Sequence, residues 1–114
     1  MSEFTFLFRG RDRSSSPEQL QKNMEKWLVW FKDLNARGLM RDPGNPLAVD
    51  GKVVAGKEKL VSDGPFAEAK DVVGGYIVIE AETLAEATEI AKGCPILDVG
   101  GSVEVRQVEM VNRR

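Results

Sequence analysis

Asp63 opens the turn-forming run Asp63-Gly64-Pro65-Phe66, and a second carboxylate, Glu68, follows it closely. An Asp at the head of a turn accepts hydrogen bonds from nearby backbone N–H groups, which is a sufficient structural reason for the run. In a cleft, the same carboxylate is a candidate general base, because burial raises its pKa toward working pH. Glu68 and Lys70 would then border the entrance, with solvated surface charge as the plainer reading of both. Near the end of the chain, Glu104 and Arg106 alternate with Val103 and Val105, so the two charges share one face of a strand. Arg106 is either half of an exposed ion pair or a planar fork for a ligand carboxylate. Arg9 is a second candidate for that anion-binding role, and Trp30 is a candidate pocket residue.

The composition closes other routes. The chain has 114 residues, no histidine and one cysteine. Catalysis that needs an imidazole is excluded, and with it the commonest transition-metal ligand. No cofactor or metal is expected. Cys94 alone makes no disulfide framework, fits a reducing compartment, and has neither a His nor a helix N-terminus to activate its thiol. Sixteen basic against eighteen acidic residues give a net charge of −2, which does not suit a phosphate-binding nucleic-acid domain. The first residues lack a positive signal-peptide region, and no apolar run approaches bilayer length. The reading is a cytoplasmic protein with no membrane partner. Gly74-Gly75 and Gly100-Gly101 fit no nucleotide-binding loop and mark turns or close backbone approach.

The elements that must position these residues follow from periodicity. Phe4, Phe6 and Phe8 alternate with Thr5, Leu7 and Arg9 in a first strand over 3–9. Leu7 makes its second face partly apolar. Ser16-Pro17-Glu18-Gln19 starts a helix running to about residue 37 and capped by Gly38. Leu20, Met24, Trp27, Leu28, Phe31 and Leu34 form its apolar stripe. Trp27 is assigned to the core, and Trp30 to the flank facing a hairpin or pocket. The Pro- and Gly-rich stretch 42–46 reads as a break. Asp50-Gly51 between short apolar segments predicts the turn of a hairpin. Strands are expected at 72–80 and 102–110, with a slip at Gln107, and a helix capped by Thr83 lies between them.

Strand, helix, hairpin, strand, helix, strand is an α+β, ferredoxin-like order: a mainly antiparallel sheet with two helices on one face and an inserted β-hairpin, in a single domain over 1–114. The other sheet face would be open while carrying Leu7 and part of the Tyr76 strand. Burial against a second copy, a homodimer, is the simplest remedy.

Several segments together resemble the YCII-related family, in particular its DGPF-domain branch. They include Trp27-Leu28-Val29-Trp30, Gly44-Asn45-Pro46-Leu47, Asp63-Gly64-Pro65-Phe66-Ala67-Glu68-Ala69-Lys70, Gly74-Gly75-Tyr76, Gly93-Cys94-Pro95 and Gly100-Gly101-Ser102-Val103-Glu104-Val105-Arg106. The resemblance implies a dimeric α/β-barrel type of assembly. It also implies, for some members, lyase or dehalogenating chemistry by a His–Asp pair, whose Asp would match Asp63 and whose His this chain lacks. Three functions follow as expectations. One is a small-molecule enzyme, lyase- or isomerase-like, with Asp63 as base and an arginine holding a small anionic metabolite. Another is a non-catalytic ligand-binding or regulatory dimer in which Asp63 is a turn cap. The last is a structural dimer without a pocket.

Overall fold

The structure, a computed structural model, describes residues 1–10, 16–64 and 71–110. Chain order is β1 (Ser2–Arg9), α1 (Pro17–Ala36), β2 (Met40–Pro46), β3 (Gly51–Ala55), β4 (Leu60–Gly64), β5 (Val73–Ala81), α2 (Leu84–Ala91), a 3₁₀ turn (Pro95–Val99) and β6 (Ser102–Gln107). Four strands form one sheet in the order β2-β5-β1-β6, and each neighbouring pair is antiparallel. This is the expected ferredoxin-like α+β arrangement. β3 and β4 make a separate two-stranded sheet inserted between β2 and β5.

Local signals set the helix ends. Ser16 Oγ accepts the Gln19 N–H at 3.3 Å, and Thr83 Oγ1 accepts that of Glu86 at 3.1 Å. At the other end of α1, Gly38 takes φ 70° while the Gly38 and Leu39 N–H groups close on the Asn35 and Leu34 carbonyls. That double bond is a Schellman cap, and it turns the chain directly into β2.

Alternation sets the two sheet faces. Phe4, Phe6, Phe8, Ile77, Ile79 and Ala81 are buried under the helices, while Thr5, Leu7, Tyr76 and Val78 are half-buried on the other side. The helical layer contributes Trp30, Leu34, Ala87, Ile90 and Ala91 to the core.

Three expectations are corrected. First, the burial phase of α1 differs. Trp30 is 8% exposed, stacked 6.3 Å from Phe6 and edge-on to Phe8 at 6.1 Å. Trp27 is only partly buried, and Leu20, Met24 and Leu28 are exposed. The large ring of Trp30 fills the space over the β1 phenylalanines, and no aliphatic side chain on the stripe covers as much area. The buried Asn23 on the same line is satisfied, its Oδ1 accepting from Gln19 Nε2 at 3.3 Å.

Second, 40–46 is a strand rather than a break. It pairs with β5 through two register shifts, one on either side of Asp42. β2 is an edge strand, so Pro43 removes no needed ladder bond. Asp42 Oδ1 accepts the Gly44 N–H at 2.8 Å, closing a local turn within the strand.

Third, the hairpin turns at Gly56-Lys57-Glu58-Lys59, not at Asp50-Gly51. The observed register sets Val54 opposite Val61, Ala55 opposite Leu60 and Lys52 opposite Asp63. These matched apolar and opposite-charge pairs outweigh the turn preference of the Asp-Gly dipeptide. β6 also stops at Gln107, three residues before the expected end, although the Val108 N–H still reaches the Glu3 carbonyl at 2.9 Å.

Cys94 is buried as expected. Desolvation pushes its thiol up to about 12, Asp98 adds to that rise, and the Ile96 N–H partly offsets it. With no thiolate near neutrality, native protein should resist a thiol reagent at pH 8 and react fully once denatured. Stoichiometric labelling of folded protein within minutes would contradict the burial.

Candidate functional site

The open face of the sheet collects three of the charged side chains that the sequence singles out, Arg9, Glu104 and Arg106. Strand register places Leu7 between Tyr76 on β5 and Glu104 on β6, and Thr5 between Val78 and Arg106. Tyr76, Leu7 and Val78 make an apolar floor. Arg9, Glu104 and Arg106 stand along the β6 edge of it.

Within this group the roles divide by geometry. Arg9 donates from Nε and Nη2 to Glu104 Oε1 at 3.1 and 2.8 Å, and from Nη1 to the Asp71 carbonyl at 2.7 Å. Its fork is fully engaged, tying β1 to β6 and to the chain entering β5. Arg9 is therefore a bracket between strands rather than a free cation. Arg106 is 71% exposed, and its one contact among the described residues is Glu104 Oε2 at 3.9 Å. A loose exposed pair is worth little, so the guanidinium is available to a ligand. Glu104 thus has a double duty that the sequence hinted at only through the shared strand face.

At the opposite corner, Arg41 Nε bridges Glu3 at 3.2 Å and Glu80 at 2.9 Å. Asn45 lies beside Tyr76 on β2. Neither was singled out in the sequence, because Asn45 lies in the stretch 42–46 that reads as a break and Arg41 directly precedes it.

Asp63 lies elsewhere. It is the fourth residue of β4, its side chain is 90% exposed, and it is ion-paired with Lys52 across the hairpin. The rest of its turn, Pro65 and Phe66, lies outside the described residues. Glu68 and Lys70 lie outside the described residues. Trp30 is on the helical layer, remote from the open face. One edge of it lines a shallow groove of about 690 Å³ together with Lys26, Gly93, Pro95 and Asp98. Lys26 and Asp98 pair across that groove at 3.3 Å, and the charged side chains of Lys22, Glu25 and Asp33 complete its rim. Among the described residues no cluster of acids and Cys94 could hold a metal ion, and no helix is long and apolar enough to cross a membrane.

Comparison with known proteins adds two findings. The family model for the YCII-related domain matches residues 4–112. Among solved structures, the chain is similar to 5-chloro-2-hydroxyhydroquinone dehydrochlorinase (TftG) from Burkholderia phenoliruptrix AC1100, in complex with 2,5-dihydroxybenzoquinone. Identity is 20%, coverage is 92% of this chain and 93% of that one, and the TM-score is 0.44. No curated protein matches the chain.

Proposed function

This chain belongs to the YCII-related domain family, and we propose that it handles a small anionic metabolite on the open sheet face of a homodimer. In this reading it is a single-domain cytoplasmic protein of the DGPF branch. One observation carries the proposal: an available guanidinium, Arg106, beside an apolar floor of Leu7, Tyr76 and Val78. That combination suits a carboxylate or phenolate borne on a flat apolar body, with the charge on the planar fork and the body on the floor. Glu104, held by Arg9, stands 3.9 Å from the guanidinium and leaves it free to turn to the ligand. Asp63 is the candidate proton acceptor for a lyase- or isomerase-like step, since no histidine is present.

A second reading, a binding or regulatory dimer without catalysis, is favoured by the Lys52 partner of Asp63. In that reading the ion pair is a cross-strand brace of the hairpin and Asp63 takes no part in proton transfer.

Benzoate is a suitable probe for both. In amide-resolved NMR titrations, benzoate should perturb β1, β5 and β6, and Arg106→Gln should weaken its binding about 10-fold, the loss of one charge-assisted contact. Benzoate binding that is unchanged in Arg106→Gln would refute the site. Asp63→Asn separates the readings: binding survives in both, and only the catalytic one loses turnover of a processed ligand.

A further inference from the structure

The β3–β4 hairpin packs on itself and on no other element beyond isolated contacts. It carries apolar residues on both faces. Val54 and Val61 lie beside the Lys52–Asp63 pair on one face, and Leu60 and Val53 lie on the other. Val54, Val61 and Leu60 are all well exposed. A lone two-stranded ribbon is marginal in water and needs a third surface. The chain is correspondingly spread, with a radius of gyration of 15.9 Å against about 13 Å for a compact domain of this length.

The open sheet face has the complementary deficit. Six residues of four strands give a footprint of roughly 380 Å², well short of the ~800 Å² per partner of a stable interface. A hairpin of two five-residue strands covers about 160 Å² more. In a two-fold dimer each protomer both lends and receives such an arm, and the total then approaches the stable size. Arm and face lie on the same chain, so two copies satisfy both needs and the assembly closes.

Two kinds of two-fold axis can stack two sheets face to face. An axis across the strands sets β2 over the partner's β2, where each arm would meet Glu3, Arg41 and Glu80, already paired with one another. An axis along the strands sets β2 over the partner's β6. The arm leaves β2 at Pro46 and rejoins at Val73, the end of the sheet where β1 finishes at Arg9 and β6 begins. Along this axis, each arm therefore lies against the partner's Glu104 and Arg106. Charge favours the second axis, because Arg106 has only the loose Glu104 pair and Asp63, although paired with Lys52, keeps 90% of its side chain exposed.

We infer that the β3–β4 hairpin is an arm that crosses to a second copy and brings Asp63 to the partner's Arg106 edge, so that each anion site is built from two chains. This deepens the proposed function and rests on its open-face site. Within one chain the arm that carries Asp63 leaves from the β2 edge and Arg106 stands on the β6 edge, and these edges are three strand spacings or about 14 Å apart. A site using both residues is incomplete without the partner.

Engineered thiols test this cleanly, since Cys94 is buried. Val61 on the arm and Ser102 on β6 are both exposed, and Ser102 shares the strand face of Glu104 and Arg106. A disulfide forms only when Cα atoms come within about 7 Å. Val61→Cys and Ser102→Cys protein, mixed as single variants and oxidised mildly, should give a covalent dimer on a denaturing gel, and the double variant should convert almost completely. Sedimentation of the unoxidised protein supplies the second readout. A sedimenting dimer with no cross-link overturns the arm assignment and leaves the open-face site standing. A sedimenting monomer overturns the arm and the dimeric part of the proposed function together. Benzoate binding, read separately, decides the fate of the Arg106 site itself.

Discussion

Trp30→Ala should destabilise the folded chain by about 3–5 kcal/mol, the usual cost of removing a large buried aromatic. The ring lies between Phe6 and Phe8 of β1 and touches Trp27 and Phe31 on its own helix, so its removal opens a cavity among four aromatic neighbours. A domain of ordinary stability has about 5–15 kcal/mol in total, so the variant would sit near the edge of folding at 37 °C. Leu28→Ala, two residues away and 65% exposed, should change stability by no more than about 0.5 kcal/mol. Urea unfolding of the two variants measures both. Equal losses, or a larger loss at Leu28, would show that α1 presents a different face to the sheet. If Trp30→Ala does not express as folded protein, Trp30→Phe keeps the comparison open with a smaller loss.

Gly44→Ala is the second large effect. Gly44 has φ 57°, where a Cβ costs about 1–2 kcal/mol by itself. A methyl group there would also overlap the carbonyl oxygen of Tyr76. That backbone atom belongs to the β2–β5 ladder and cannot move without breaking it. Together the two terms should cost at least about 3 kcal/mol, overpacking included. The damage should be local: hydrogen exchange should accelerate first in β2, while β1 and β6 keep their protection. Because Tyr76 forms part of the open-face floor, benzoate binding should weaken in the same variant. Unchanged stability would mean that β2 follows a different path past Tyr76.

Both predictions bear on how the site is held. The open face is best ordered at its centre, where β1 and β5 pair in unbroken register from Ser2 to Phe8, and it is braced at the β6 edge by Arg9. β2, by contrast, is joined to β5 through two irregularities in register. A ligand bound near Arg106 would meet preorganised side chains, whereas a group at Asn45 depends on the integrity of that edge.

What the sequence determined by itself was whatever depends on a few neighbouring residues. Ser16 and Thr83 cap helices because the donors they satisfy lie three residues ahead. Phe4, Phe6 and Phe8 share a face because a strand alternates. The order of elements then left one arrangement of two helices on a four-stranded sheet. Arg106 and Glu104 could be placed on one face for the same reason.

Tertiary structure decided the rest, because long-range area and pairing overrode local preference. Trp30 took the core position from Trp27 because its ring fits the space above β1, a fact about another element. The hairpin turned at Gly56–Lys59 because cross-strand partners matched there and not at Asp50-Gly51. Met40–Pro46 became a strand despite two prolines, since β5 offered an unpaired edge and an edge strand tolerates missing donors. Arg9 lost its availability to Glu104 and to the Asp71 carbonyl, partners 95 and 62 residues away in sequence, and no local pattern encodes a contact at that distance.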